Sequence, residues 1–279
     1  MKIMKKSYLL LPIFFLASCS SSNDDDTSTG NSGNNNSNDP VLVTKMTMDG
    51  DVLTFTYNGT KISQIKNITE GSVTTFIYSG DLISQSVVSG SNTAITTKFT
   101  YDTNSRLIKK TISGTDFGGA WNSESNYTYQ ANNNVKIVYT ATSSGSSRSE
   151  IRNAILNADG SMSSWTGTLS RTQNNTTDNA TSTLKPVVYD TQNAPLKNIT
   201  GYLRIIDNED ESGSAHNTLS YNHIISYNNG TGTEWSIFKS NFEYNSSGYP
   251  MKEIRSYYDK TGNTPTGSTD VNTYEYNHL

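Results

Sequence analysis

The side chains that could carry chemistry are few. Three histidines are present, His216, His223 and His278. No two stand at metal-ligand spacing, and the chain holds no His-Glu-x-x-His, no Gly-x-Ser-x-Gly and no Gly-x-x-x-x-Gly-Lys. His216 lies in a polar stretch and His278 at the tail, so both read as solvated. His223 borders Ile224 and Ile225 and reads as a strand histidine, since a general base needs partners. The densest acidic cluster is Asp207-Asn208-Glu209-Asp210-Glu211, in which Asp207, Glu209 and Glu211 could offer oxygens to Ca²⁺. The EF-hand template fails there, with Ser212 at the glycine position and Thr218 at the closing glutamate position. The cluster therefore reads as a charged loop, and no metal is assigned. Trp121, Trp165 and Trp235 each sit amid Gly, Ser and Thr. Such indoles either pack into a core, the expected role, or stack on a ligand such as a sugar ring. An enzyme would need distant carboxylates such as Asp102, Asp190 and Glu243 to converge. No catalytic residue and no cofactor are assigned, and the chain is read as non-catalytic.

The elements that must hold these residues are written in an unusual composition. The chain has 279 residues, a formal charge of −4, 33 % apolar and 16 % charged residues. Asn, Ser and Thr supply roughly two-fifths of it, well above ordinary usage. A helical bundle, which wants Ala, Leu, Glu and Lys, is disfavoured. Nucleic-acid binding is disfavoured by a sequence pI near 5.4. Wholesale disorder is disfavoured by 17 Tyr, 8 Phe and 3 Trp.

Lys2, Lys5 and Lys6 precede an apolar run from Tyr8 to Leu16, which is too short to span a bilayer as a helix and fits a secretory signal. Leu16-Ala17-Ser18-Cys19 resembles a bacterial lipobox. The resemblance implies cleavage before Cys19, lipidation of its thiol and acylation of the new amino terminus. Cys19 is the single cysteine. Several acyl chains, at ~0.8 kcal/mol per buried CH₂, make a stable anchor. The expected organisation is a signal peptide over 1–18, a lipidated cysteine and disordered tether over 19–40, and a repeat domain over 41–279. Ser20-Ser21-Ser22-Asn23-Asp24-Asp25-Asp26 resembles the acidic export signal of Bacteroidota surface lipoproteins, which implies display on the outer face of the outer membrane.

Beyond Val41 one pattern recurs: an apolar residue, any residue, then Tyr. It appears as Phe55-Thr56-Tyr57, Phe76-Ile77-Tyr78, Phe99-Thr100-Tyr101, Tyr127-Thr128-Tyr129, Val187-Val188-Tyr189, Leu219-Ser220-Tyr221, Phe242-Glu243-Tyr244 and Tyr274-Glu275-Tyr276. Residues i and i+2 share one face of a strand and cannot share one of a helix. Turn chemistry follows most of these tyrosines, as in Asn58-Gly59, Ser79-Gly80 and Asp102-Thr103-Asn104, and a second short strand comes next. Ser147-Arg148-Ser149-Glu150 has capping-box spacing, but strand is expected there, with Asp159-Gly160 as a turn. Polar loops are expected at Ser143–Ser149, Asn174–Ser182, Asn208–Asn217 and Lys260–Asp270.

The segment Phe99-Thr100-Tyr101-Asp102-Thr103-Asn104-Ser105-Arg106-Leu107 resembles the tyrosine–aspartate (YD) repeat of Rhs-type and teneurin-type shells, with Ser105 where that family has glycine. The whole layout is similar to YD-like repeat lipoproteins of Bacteroidota. That resemblance implies a fold and a location, not a reaction. The expected fold is mainly β: an antiparallel meander of repeated hairpins curled into a sheet or partial shell, with a two-sheet sandwich as the rival. The expected role is a lipid-anchored, surface-exposed structural or interaction module of the outer membrane, bound to the membrane through Cys19. The alternative is a glycan- or protein-binding lipoprotein using a concave aromatic face, with Ca²⁺ as a candidate aid to binding.

Overall fold

The structure, a computed structural model, describes residues 39–91, 93–116, 119–205, 214–228, 230 and 232–278. The leader, Cys19, Asp24–Asp26, and Asp207, Glu209 and Glu211 lie outside the described residues.

The two-residue beat builds seventeen strands. They are β1 (Val43–Met48), β2 (Asp51–Asn58), β3 (Lys61–Asn67), β4 (Ser72–Ser79), β5 (Leu82–Ser89), β6 (Ala94–Tyr101), β7 (Leu107–Asp116), β8 (Gly119–Tyr129) and β9 (Asn134–Ser143). There follow β10 (Ser146–Leu156), β11 (Met162–Gln173), β12 (Thr176–Leu184), the two-residue β13 (Val188–Tyr189), β14 (Thr218–Tyr227), β15 (Thr233–Tyr244), β16 (Pro250–Tyr258) and β17 (Pro265–Tyr276). Each pairs antiparallel with its neighbours in sequence, with β12 running on to β14 and β13 an appendage of β14. The last strand then pairs with the first, Val43 opposite Tyr276 and Met46 opposite Tyr274. The product is a closed antiparallel barrel of sixteen long strands.

This closure corrects the expected curled sheet or partial shell, and the two-sheet sandwich as well. Eight hairpins suffice for the ring. An open sheet of this length would leave two edges of unpaired backbone groups, whereas closure removes both. Asn277 completes the seam: its backbone N–H donates to Leu42 O at 2.9 Å and its side-chain oxygen accepts from Leu42 N at 2.8 Å.

The unit that repeats is more exact than its sequence suggests. Tyr101, at the end of β6, donates its hydroxyl to Ile83 O near the start of β5, 2.6 Å away. Tyr57 does the same to Val43 O, Tyr129 to Leu107 O, Tyr189 to Met162 O and Tyr276 to Pro250 O, at 2.6–3.0 Å. The rings of Tyr57, Tyr101, Tyr129 and Tyr276 pack on the core while each hydroxyl ties one strand to the start of another, which explains Tyr rather than Phe at the second site. After Tyr101, the Asp102 carboxylate accepts the backbone N–H groups of Asn104 and Arg106, and Arg106 lays its guanidinium 4.4 Å from the Tyr129 ring centre. The turn after Tyr244 repeats this geometry, with Asn245 accepting from Ser247 and Tyr249. The glycine-like position is left-handed in both, at Ser105 (φ 59°) and Gly248 (φ 74°).

Six of the hairpin turns, both described termini and the described parts of the long connection between β12 and β14, 185–205 and 214–217, lie at one end of the barrel by up-and-down topology. That connection crosses this end and plugs it. Leu196, Ile199, Tyr202 and Ile205 are buried in the same core cluster as the wall residues Phe55, Ile62, Leu107 and Phe238. At ~1.5–3 kcal/mol for each large apolar side chain, their burial alone holds the plug in place. Polar contacts fix its position. Thr200 N donates to Thr60 O at 3.0 Å and Asn198 Nδ2 to Val41 O at 3.0 Å. Two further repeat tyrosines serve the plug: Tyr78 donates to Thr200 O, and Tyr244 to the Asp190 carboxylate.

Inside and outside differ sharply. Inward residues such as Leu53, Phe55, Ile83, Ile95, Ile137 and Leu184 are buried. The alternate residues point out, and they include Lys66, Lys98, Lys109, Lys136, Lys239 and Lys252, at both ends and the middle of the wall. Outer ion pairs join neighbouring strands: Lys45–Glu275, Lys109–Glu124 and Lys252–Glu243, at 2.9–3.1 Å.

Several expectations at finer scale are corrected. Ser143–Ser149, Asn174–Ser182 and the second half of Lys260–Asp270 are largely strand, because Thr- and Ser-rich segments fit a pleated wall without a hydrophobic beat. Tyr221 lies near the start of β14 and stacks on Phe238 instead of ending a unit. The missing unit is at Leu156, whose turn runs Asn157 to Ser161 like that of Tyr101. Strand at Glu150–Ile155 and the Asp159-Gly160 turn are as expected. Removing one hydroxyl of the tyrosine series should cost about 1 kcal/mol. Tyr101→Phe is expected to lower the urea midpoint with the slope unchanged. An unaltered midpoint would show that the bond to Ile83 contributes nothing.

Candidate functional site

The chemically distinctive region is a belt of side chains on the inner wall from β10 to β17. Two Glu-Ile-Arg triplets, Glu150-Ile151-Arg152 on β10 and Glu253-Ile254-Arg255 on β16, put a carboxylate and a guanidinium on the same inward face, two residues apart. Glu150 and Glu253 are each 1 % exposed. Arg152 stands 4.8 Å from the Trp165 ring centre, and Arg255 stands 4.1 Å from that of Phe238. Between these aromatics lie His223 and Tyr221 of β14. Trp165 meets His223 edge-on at 4.8 Å, and Tyr221 stacks on Phe238 at 5.4 Å. The belt is thus cation, indole, imidazole, phenol, phenyl, cation.

The two carboxylates are served differently. Both oxygens of Glu253 are satisfied, by Ser240 Oγ (2.6 Å), Arg255 Nε (3.0 Å), Asn272 Nδ2 (2.8 Å) and the Tyr274 hydroxyl (2.9 Å). Glu150 uses one oxygen only. Its Oε2 accepts from Arg152 at 2.7 Å and from Arg148 at 2.8 Å, while its Oε1 is buried with no hydrogen-bond partner among the described residues. Burial pushes the Glu150 carboxyl up, but the bonds and charges of Arg152 and Arg148 outweigh it and hold the group at about 2, below its ordinary 4.5. Burial and then Arg255 act in the same opposed senses on Glu253, which is also lowered. Tyr274 beside it is raised, by burial first and by the Glu253 charge second, and so stays a neutral donor.

The structure separates most of the residues singled out from sequence. Trp165 is buried on the inner wall at 2 % exposure. Trp121 is on the inner wall of β8, packed on Val88 and Ile95, and Trp235 is on the outer face of β15, donating to Tyr258 O at 3.2 Å. The three indoles share no groove. The concave aromatic face is enclosed within the barrel. Asp102 and Asp190 serve turns at the plugged end, and Glu243 pairs with Lys252 on the outer wall, so these carboxylates do not converge. His216 Nδ1 lies 2.8 Å from Gln192 O, and His278 Nε2 lies 2.8 Å from Asp39 O. His223 Nε2 is 3.1 Å from Ser182 Oγ inside the wall. Among the described residues no group of three His, Cys, Asp or Glu could hold a metal ion. Sequence reasoning missed Glu150, Arg152, Glu253 and Arg255. The repeated Glu-Ile-Arg with its i, i+2 charges was the available signal.

No family model matches the sequence, and no curated protein matches it. Solved structures do share the architecture. A porin-like protein from Bacteroides vulgatus aligns over 85 % of this chain and 100 % of its own, with 14 % identity and a TM-score of 0.51. A second porin-like protein, from Bacteroides uniformis, aligns over 84 % of this chain and 97 % of its own, with 11 % identity and a TM-score of 0.38, and it carries no argument. The first likeness establishes the fold alone: the chain is a closed β-barrel of the shape found in that Bacteroides protein.

Because the Glu150 carboxyl is held low in the folded chain, its contribution is complete above pH 4.5 and is lost as pH falls through about 2. Melting temperature should therefore fall across that window. Glu150→Gln should be less stable than the parent at pH 7 and should show a shallower acid loss. Parallel curves for the two proteins would remove Glu150 from the acid response.

Proposed function

We propose that this chain is a non-catalytic, lipid-anchored barrel that stands beside the outer membrane as a structural or interaction module, rather than a pore through it. The observation that carries this reading is the polarity of the wall. A transmembrane barrel shows the bilayer an apolar band ~25 Å tall, and each Lys or Arg at its midplane costs ~2–4 kcal/mol. Here Lys66, Lys98, Lys109, Lys136, Lys239 and Lys252 stand on the outside, where apolar residues such as Ile77, Ile151, Ile155 and Val271 are scattered singly, while the continuous apolar face points inward. The porin-like name of the structural neighbour suggests a channel, but a plugged and closely packed interior, in which Glu150 and Glu253 are paired with arginines, opposes conduction.

The anchoring half of the proposal rests on Leu16-Ala17-Ser18-Cys19 and the Ser/Asp stretch after it. It agrees with the position of Asp39 at the plugged end, bound through its carbonyl to His278. A tether entering there would set the plugged end toward the membrane and the opposite rim away from it. Display on the outer face, the likeness to YD-repeat lipoproteins, and a protein or glycan as partner belong to the same proposal.

Two measurements separate its halves. The full chain carrying Cys19→Ser should leave the membrane fraction and remain soluble without detergent, and retention of that variant would defeat the anchor. The same soluble protein added to a planar bilayer should produce no steps of conductance. Stable channels would defeat the barrel beside the membrane, whatever the fate of Cys19.

A further inference from the structure

The strands of the barrel are unequal. β1 to β6 have 6–8 residues, whereas β8 to β12 have 9–12. The surplus lies at the end opposite the plug, where the hairpins β9–β10 and β11–β12 form a lip with its inner face partly uncovered. Arg148 is half-buried there and Arg171 is exposed. They stand directly opposite each other on adjacent strands. Like charges so placed repel, and a fold gains nothing from pairing them.

The surroundings leave the positive charge in excess. The next inward layer runs across the strands as Lys110, Ser125, Tyr139 and Glu150, followed by Arg152 two residues further in. Among the described side chains, the inner face from β7 to β12 carries Lys110, Arg148, Arg152 and Arg171 against Glu150 and Asp178, in a chain of net charge −4. Asp178 lies opposite Arg171, and Gln173 Oε1 accepts from Arg171 Nη2 at 3.2 Å. Glu234, further round, accepts from the Tyr227 hydroxyl at 3.0 Å, and Arg171 also bonds Tyr227, so Glu234 offsets part of the lip's charge. Arg148 stacks at 5.7 Å on Tyr139 and gives one amino group to Glu150, while its Nε is buried without a hydrogen-bond partner among the described residues.

We propose that the lip is an oxyanion-binding site, in which Arg148 and Arg171 clamp a carboxylate, sulfate or phosphate group between them. Guanidinium groups are suited to this task, since their planar N–H pairs match two oxygens of an oxyanion and remain charged at any working pH. The bound anion converts a repulsive pair into a bridged one. The site lies at the end remote from Asp39, so a ligand could reach it whether or not Cys19 is lipidated.

The test is a calorimetric titration of the full chain carrying Cys19→Ser with sodium sulfate, phosphate and acetate, against sodium chloride at matched ionic strength. Dextran sulfate and poly-glutamate serve as polymeric arms that tell a sulfated from a carboxylated source. Saturable binding of at least one oxyanion is expected, weakened about tenfold or more in Arg171→Gln, whose exposed side chain leaves the fold intact. Arg148→Gln should weaken it likewise, and Lys98→Gln on the outer wall should leave it unchanged. Heat no greater than that of chloride, or equal affinity in Arg171→Gln and the parent, would overturn the site.

Discussion

The constraint on which this molecule depends is that one face of every strand must leave water while the other stays in it. A hairpin bearing Phe55 and Tyr57, or Phe99 and Tyr101, cannot hide that face alone. Eight of them in a ring turn all such faces toward a common interior, and the pairing of β1 with β17 removes the edges that an open array would expose. The tyrosine hydroxyls then peg strand to strand, at Val43, Ile83, Leu107, Met162 and Pro250. The ring width has a consequence: sixteen strands enclose more space than their shortest side chains fill. The segment carrying Leu196, Ile199 and Tyr202 fills one end.

Charges inside such a barrel need neighbours of their own. The two Glu-Ile-Arg triplets supply the partner from the same strand, two residues along, so that neither guanidinium nor carboxylate enters the interior alone. Aromatic faces from adjoining strands cover the guanidinium groups. Glu253 is saturated by four donors and reads as structural. Glu150 keeps an oxygen without a donor among the described residues and lies beneath the lip arginines, which places an unbalanced part of the belt near the uncovered rim.

What the sequence discloses follows from what carries a local signal. Phe-x-Tyr followed by Asn-Gly or Asp-Thr-Asn announces a hairpin because period and turn chemistry are both local; six of the eight tyrosines expected to end a unit end a wall strand, and Tyr189 ends only the two-residue β13, with the plug where a second strand was expected. Leu156 ends the remaining unit without an aromatic ring and passes unnoticed, while Tyr221 imitates the pattern in the wrong place. The strands around Ser147, Thr177 and Thr269 are silent because Ser and Thr on both faces erase the hydrophobic beat, and they read as loops. Closure was not legible, since the pairing of Met46 with Tyr274 joins residues at opposite ends of the chain. The candidate site suffered likewise: Glu150 is a plausible helix cap in isolation, and only its cross-strand neighbours show it as a buried ion pair. Cys19 is the opposite case, a motif legible in sequence that lies outside the described residues.

The most direct test of a charged outside and an apolar inside is cysteine scanning along β2 and β6 in a Cys19→Ser background, without detergent, with a bulky water-soluble maleimide. Thr54, Thr56, Lys98 and Thr100 should label fast, and Leu53, Phe55, Thr97 and Phe99 slowly, giving a strict two-residue rhythm. Fast labelling on the Phe55 and Phe99 face, with protection of the Thr54 and Lys98 face, would mean that the wall is turned the other way and that the barrel belongs in a bilayer.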